Sequence, residues 1–187
     1  MEHCEVTVFS CLGDLVVKVG PPVFLLERDV TVNPKQAAAE HGASLVKSGM
    51  VLGLGSGSTS TLMVQAIGRK VHEGTLRNVI GVPSSSGIAA VARESGVPLA
   101  TLDDHPALDL NLDGADEVDP NLGLIKGLGG ALLWEKIVAT ASRQVVILVD
   151  ESKLVSRLGT KAPLPVEVVP FGWKTHLAFV ESLGGKP

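Results

Sequence analysis

Three short segments of the sequence place polar side chains beside glycines at the expected ends of apolar runs. They are Gly53-Leu-Gly-Ser-Gly-Ser-Thr59, Asp113-Gly-Ala-Asp-Glu117 and Lys126-Gly-Leu-Gly-Gly130. In the first, glycines free backbone N–H groups to approach an anion, Ser56, Ser58 and Thr59 add hydroxyl donors, and a following helix contributes its positive end. No Gly-Lys-Ser/Thr follows and no G-x-G-x-x-G register fits, so neither a P-loop nor a dinucleotide fingerprint is present. An ordinary strand-to-helix turn, with Ser58 or Thr59 as N-cap, explains the same residues. In the second, Asp113 and Asp116 form a carboxylate pair in which proximity raises one pKa. Such a pair suits the shuttling of a proton between two oxygens of a sugar, whereas the alternative is an Asp-Gly turn with Asp116 and Glu117 in solvent. In the third, Lys126 sets an ammonium beside several accessible amides, as an oxyanion site does. A lysine on a glycine turn is the simpler reading. Glu135 follows, about one and a half turns into the next helix between Trp134 and Ile137, where desolvation would push its pKa toward that of a carbon-proton base. Most glutamates at such positions are solvent-facing helix formers.

The elements that must position these groups are legible from periodicity. Asn33-Pro34 reads as an N-cap with proline at the first helical position, and the helix it opens ends at Gly49. Met50 to Leu54 is a buried strand, followed by a helix carrying Leu62, Met63, Ala66 and Ile67. Val79 to Val82 is the next strand, Ser84-Ser85-Ser86 caps a helix that Gly96 closes, and Leu99 to Leu102 is a further strand. Strands over Leu108 to Leu112, Leu122 to Ile125, Val145 to Val149 and Val166 to Val169 follow, with helices near Leu132 to Ala141 and Trp173 to Leu183, and Lys153 near the start of a short helix. Strands alternating with helices imply an α/β fold, an open, doubly wound, mostly parallel sheet of Rossmann-like type, with ligands at strand C-terminal ends. Residues 1–32 show no helical period and take no assignment. Residues 33–160 are expected to form the main α/β unit, and 161–187 the start of a small, incomplete α+β lobe.

Composition excludes other classes. A length of 187 residues suits one sizeable core, and a formal net charge of -4 gives no polybasic surface for nucleic acid or an anionic membrane. The apolar arm from Val6 to Leu26 is interrupted by Asp14, Lys18 and Pro21-Pro22, short of the roughly 20 residues of a membrane span. Cys4 and Cys11 close at most one small loop, which favours a reducing compartment, cytoplasmic or, with a transit segment, plastid. His41, His72, His105 and His176 lack an i, i+4 companion, so no metal-ligand spacing appears. No G-x-S-x-G elbow supports a serine hydrolase.

Taken in order, the three segments, Glu135-Lys136 and Pro163-Leu-Pro-Val-Glu-Val-Val-Pro170 resemble ribose-5-phosphate isomerase type A over about Asn33 to Pro187. Leu102-Asp-Asp-His-Pro106 and Pro170-Phe-Gly-Trp173 are similar to plant versions. The resemblance implies interconversion of D-ribose 5-phosphate and D-ribulose 5-phosphate in the non-oxidative pentose phosphate branch and the Calvin cycle, without metal or cofactor, in a homo-oligomer, a dimer. By matching, Glu135 corresponds to the proton acceptor, Asp113 to the group serving O1 and O2, and Lys126 to the enediolate stabiliser. Ser56, Gly57, Ser58, Thr59, Asp113, Gly114, Ala115, Asp116, Lys126, Gly127, Leu128, Gly129 and Lys153 correspond to substrate contacts, with Lys35 a phosphate contact. Ser56 stands where threonine is common, and Leu128 where a glycine or polar residue is expected, which would narrow the site or remove a contact. The family continues past Gly184-Gly-Lys-Pro187 through the rest of a lobe and a return strand. Exposed apolar surface and strand edges are therefore expected here, with lower stability, association or inactivity. The alternatives are a non-catalytic phosphosugar-binding module, an inactive truncated isomerase, and a relative of amino-sugar-phosphate deaminases.

Overall fold

The computed structural model describes the backbone of Glu5–Ser10 and Leu15–Lys18 and the whole of residues 33–187. Cys4, Cys11 and the remainder of the arm lie outside the described residues.

Six strands form the main sheet: β1 (Glu5–Ser10), β2 (Leu15–Lys18), β3 (Val51–Leu54), β4 (Ile80–Pro83), β5 (Leu110–Asp113) and a later strand, Gln144–Val149. Between β5 and that last strand come β6 (Glu117–Val118) and β7 (Leu124–Ile125), so the last is β8. The order across the sheet is β2-β1-β8-β5-β3-β4, parallel throughout except for the β1–β2 pair. The arm without a sequence assignment thus supplies two strands, and β1 lies alongside β8 over six paired positions.

Side chains of the central strands alternate between two faces, as the pleat requires. On one face, Leu110 and Leu112 of β5 and Val146 and Leu148 of β8 join Ala38 and Ala39 of α1 (Pro34–Ser44), Met63 and Ile67 of α2 (Ser58–His72) and Ile88 and Ala92 of α3 (Ser86–Glu94) in one core. On the other face, Val82 and Leu108 pack on Val138 of α4 (Leu132–Thr140), while Val145, Ile147 and Val149 pack on Val118 and Leu124 of the β6–β7 hairpin. Helices therefore cover both faces, as a doubly wound sheet demands.

Local signals held at several points. The Asn33 side chain accepts from the Lys35 N–H with proline at the first helical position, and Ser85 caps α3 through the Ile88 N–H. Gly96, at φ +75°, follows the end of α3. Other expectations were changed by pairing. The first helix ends at Ser44 rather than Gly49. Leu99 makes one bridge to Gly81 instead of a strand, since the turn held by Thr101 and Asp104 interrupts the run. The expected strand Leu122–Ile125 shortens to β7 and pairs antiparallel with β6 outside the main sheet, Leu122 itself sitting at φ +65°. Residues 166–169 form no strand: Pro163, Pro165 and Pro170 remove donors around them and no described strand lies beside them. The predicted helix 173–183 is a 3-10 turn, Trp173–His176, leading into α5 (Leu177–Ser182). Leu164, Val166, Val169, Phe171, Phe179 and Leu183 all stand exposed in this region, as do Trp134 and Ile137 of α4.

Gly68 of α2 lies close against the end of α3 on the first face. A Cβ there would lie 2.3 Å from the Ser95 carbonyl oxygen, a backbone atom that cannot step aside alone. Gly68→Ala is expected to lower stability by roughly 1–3 kcal/mol through overpacking, despite alanine's better helix propensity. A urea titration in which the variant matches or exceeds the parent would contradict this close packing.

Candidate functional site

β3 and β5 are neighbours whose chains leave in opposite directions. From β3 the chain crosses through α2 to β4 on one side, whereas the chain leaving β5 continues toward β8 on the other. This is the topological switch point of an open α/β sheet, where a crevice opens outside the strand C-termini. The first glycine segment leaves β3 there, and the acidic segment leaves β5 beside it, joined by the Gly55 N–H donating to the Leu112 carbonyl at 2.9 Å. A cavity of about 530 Å³ occupies the crevice.

Along one wall runs the first glycine loop, with Ser56, Gly57, Ser58 and Thr59 lining the cavity. The N-cap of α2 is Gly57, at φ +108°, and no side chain caps it. The alternative in which Ser58 or Thr59 is spent as an N-cap is therefore not realised, and the leading amides of a 15-residue helix face the cavity without a side-chain acceptor. The Lys35 ammonium lies 3.1 Å from the Ser58 hydroxyl, bringing a cation from α1 to this loop. Ser56 is held by the hydroxyls of Ser84 at 2.9 Å and Ser85 at 2.7 Å, a contact from the end of β4 that sequence spacing does not reveal. Lys153, in the 3-10 turn after β8, lines the cavity as well.

Opposite this wall, the three carboxylates of the acidic segment do different work. Asp113, the last residue of β5 and 1% exposed, is an ion-pair partner of Lys126 at 2.8 Å and accepts from the Gly114 N–H at 2.8 Å. Gly55 makes room for it, because a Cβ there would lie 2.0 Å from Asp113 Oδ1. Asp116 lines the cavity and accepts from the Leu128 N–H at 3.0 Å, fastening the second glycine loop to the first acidic turn. Glu117 is not solvated. Its side chain is fully buried and accepts from the N–H groups of Gly159, Lys161 and Ala162. Burial opposes its ionisation, but these backbone donors outweigh burial and hold its pKa below the usual carboxylate value.

β7 ends at Ile125, so Lys126 emerges beside the acidic turn, where its ammonium also donates to the Gly114 carbonyl oxygen. Gly127, at φ +109°, turns the chain toward α4; a Cβ there would meet Leu132 Cβ at 2.9 Å. Glu135 stands in the first turn of α4, earlier in the helix than its sequence context indicated, and is 6% exposed. Its Oε2 lies 3.2 Å from Lys126 Nζ, an ion-pair contact without hydrogen-bond alignment, and among the described residues that oxygen has no other hydrogen-bond partner. One ammonium thus serves two buried carboxylates. Burial raises the pKa of Asp113, against the pull of Lys126. Burial raises that of Glu135 too, reinforced by the charge on Asp113 and partly offset by Lys126.

Gly114, Ala115, Gly127 and Gly129 complete the cavity wall. Leu128 does not: its side chain is 52% exposed and only its backbone N–H is engaged, by Asp116. Its effect on the site therefore runs through the loop backbone and not through narrowing. Among the described residues no group of three or more His, Cys, Asp and Glu is placed to hold a metal, and no helix is long and apolar enough to cross a membrane.

A carboxyl whose folded pKa lies above its unfolded value retains a proton that the unfolded chain has lost, so stability falls as pH rises between the two values. Glu135→Gln removes that loss. The variant's stability relative to the parent is expected to increase as pH rises from about 4, the ordinary glutamate range, and to level off above the raised folded value. Urea titrations of both proteins across this range measure the gap, and a gap that stays constant or shrinks would refute the burial of a strained carboxylate here.

The family described as Ribose 5-phosphate isomerase A (phosphoriboisomerase A) matches residues 80–187. Ribose-5-phosphate isomerase A of Chloroflexus aurantiacus is 53% identical over 155 residues, covering 83% of this chain and 65% of that relative. A protein of Arabidopsis thaliana named probable ribose-5-phosphate isomerase 2 is 50% identical over 150 residues, covering 80% of this chain and 57% of its own length. Among solved structures, a D-ribose-5-phosphate isomerase in complex with phospho-erythronic acid superposes with a TM-score of 0.78 at 41% identity, over 80% of this chain and 66% of the other. The enzyme from Methanocaldococcus jannaschii gives 0.76 at 42% identity, over the same shares of the two chains. The chain spans 65% of the length of the Chloroflexus relative and 66% of one from Desulfatibacillum aliphaticivorans. A family match over more than half of the chain, with relatives at this identity on the same fold, means that the chain belongs to the ribose 5-phosphate isomerase A family.

Proposed function

We propose that this protein interconverts D-ribose 5-phosphate and D-ribulose 5-phosphate through an enediolate, by proton transfer among its own side chains. The observation that carries the reading is the buried Asp113–Lys126–Glu135 cluster, in which a single ammonium lies within 3.2 Å of two carboxylates whose pKa values are both raised. A structural ion pair needs only one carboxylate, and the second adds repulsion. Perturbed titration of this kind in a cleft is characteristic of sites that move protons.

In this reading the phosphate sits on the open N-terminus of α2, with Ser56, Ser58, Thr59 and the ammonium groups of Lys35 and Lys153 around it. The sugar chain extends toward the acidic turn. Glu135, with one oxygen uncommitted to any hydrogen bond, takes the proton from C2 of the aldose and returns it to C1. Negative charge that develops on the substrate oxygen is met by Lys126 and the amides of the second glycine loop, which are positioned before reaction. Asp113, whose pKa burial raises, exchanges a proton between O1 and O2. Asp116, Gly114, Ala115, Gly127 and Gly129 shape the crevice around the hydroxyls. Phospho-erythronic acid, held by the solved relative, is a four-carbon acid bearing a phosphate, of the size and charge this arrangement would accept. Residues 33–160 form the catalytic unit of the reading and 161–187 belong to a second, smaller lobe. The setting is a reducing compartment, cytosol or plastid.

Isomerisation of ribose 5-phosphate by the purified chain tests the reading, with sugar binding measured alongside. Glu135→Gln is expected to lower turnover by about 10²–10⁴-fold, the usual contribution of a general base, with binding retained. Lys126→Met is expected to lower it by about 10²–10³-fold, as for loss of one oxyanion donor. Binding without turnover in the parent would instead make this a phosphosugar-binding module. A homodimer belongs to the same reading, supported by apolar side chains that stand in solvent, among them Trp134 and Phe171. Light scattering that gives the mass of one chain at micromolar concentration would remove it.

A further inference from the structure

We propose that Glu167 is a positioning residue for Glu135, acting as the N-terminal cap of α4 from outside the helix. This rests on the reading of Glu135 as the proton carrier.

α4 has only nine residues, and its N-cap is Ala131, which offers no side-chain acceptor. The amides of its first turn therefore have no local partner, and a helix this short has little cooperative strength to resist fraying. The missing acceptor comes from 34 residues ahead, where Glu167 Oε2 accepts from the Leu133 N–H at 2.6 Å. A carboxylate at this point also complements the positive end of the helix. Glu135 is two residues past Leu133, in the same turn, so freedom at the helix start becomes displacement of its carboxylate from Lys126.

Two further contacts show that the Glu167 segment is held in place against the site. Pro165 lies against Gly127, with its Cβ 3.3 Å from where a Cβ of Gly127 would stand, so the segment backs the lysine loop as well as the helix. Just upstream, the N–H groups of Gly159, Lys161 and Ala162 are gathered by buried Glu117. The acidic segment thus contributes Asp113 to the cluster directly and, through Glu117, anchors the strand of chain that delivers Glu167 to α4.

The test compares Glu167→Ala, Glu167→Gln and the double variant Ala131→Ser/Glu167→Ala with the parent by amide hydrogen exchange, by NMR titration of Glu135 and by kinetics. In Glu167→Ala, exchange at Leu133 should accelerate about tenfold, the fold-change equivalent to one good cap, while amides of β3 and β5 hold their rates. The Glu135 midpoint should fall toward the ordinary carboxylate range, and kcat should drop about tenfold with KM within about twofold, since the phosphate loop is untouched. Glu167→Gln, which keeps an acceptor oxygen, and the double variant, which supplies a cap from residue 131, should restore all three. Unchanged exchange at Leu133, uniform acceleration across the core, or an unmoved Glu135 midpoint would each overturn the proposal. If Glu167→Ala does not fold, the double variant decides: folding with Leu133 protected supports it, and failure to fold overturns it. A parent chain without isomerisation would defeat the proposed function alone, because exchange and the Glu135 titration still decide the role of Glu167.

Discussion

A single ammonium shared by two buried carboxylates is the constraint around which this structure is organised. Asp113 and Glu135 are each almost wholly removed from water, and among the described residues Lys126 is the one cation in ion-pair contact with either. Burying a charge is costly unless it is paired, and one positive charge cannot pair two negative ones in full. The deficit appears as raised pKa values on both acids. Such a cluster adds little to stability by itself; its consequence is that both acids hold a proton more readily than a solvated carboxylate does.

Holding this cluster requires three elements that approach one another closely. β5 carries Asp113 to its C-terminal end, the β6–β7 hairpin returns Lys126 to the same place, and α4 offers Glu135 from its first turn. Glycine is used where side chains would collide: at Gly55 against Asp113 and at Gly127 against Leu132. The acidic segment then divides its carboxylates by direction. Asp113 points into the cluster, Asp116 holds the Leu128 amide, and Glu117 turns away to gather three amides of the segment beyond β8. One pentapeptide therefore fixes the lysine, the second glycine loop and the later segment together.

The opposite wall, which the proposed function assigns to the phosphate, is built by different means. Its donors would be the amides at the start of α2, where no side chain caps the helix, supplemented by hydroxyls and by Lys35. Because that wall lies on β3 and the cluster on β5, their separation is set by the sheet and by the divergence of connections at the switch point. In the proposed function, with the phosphate at one wall and the proton carriers at the other, a ligand would be selected by length as well as by charge.

Much of this was written in local sequence. Asn33-Pro34 and Ser85 announced helix starts, apolar runs announced β3, β4, β5 and β8, and the three polar segments announced the strand ends where chemistry would sit. These are short-range effects: a cap bonds two or three residues away, and a buried strand needs only a run of apolar side chains. The sequence also carried Glu135, Asp113 and Lys126 as candidates, but each had an ordinary alternative until they were found in contact. Tertiary structure alone decided that contact, along with the burial of Glu117, the capping of α4 by Glu167, the exclusion of the Leu128 side chain and the loss of the strand expected at 166–169. The reason is the same in each case. Desolvation and long-range hydrogen bonding depend on which segments meet, and partners separated by 9 to 45 positions leave no periodic mark on the chain between them.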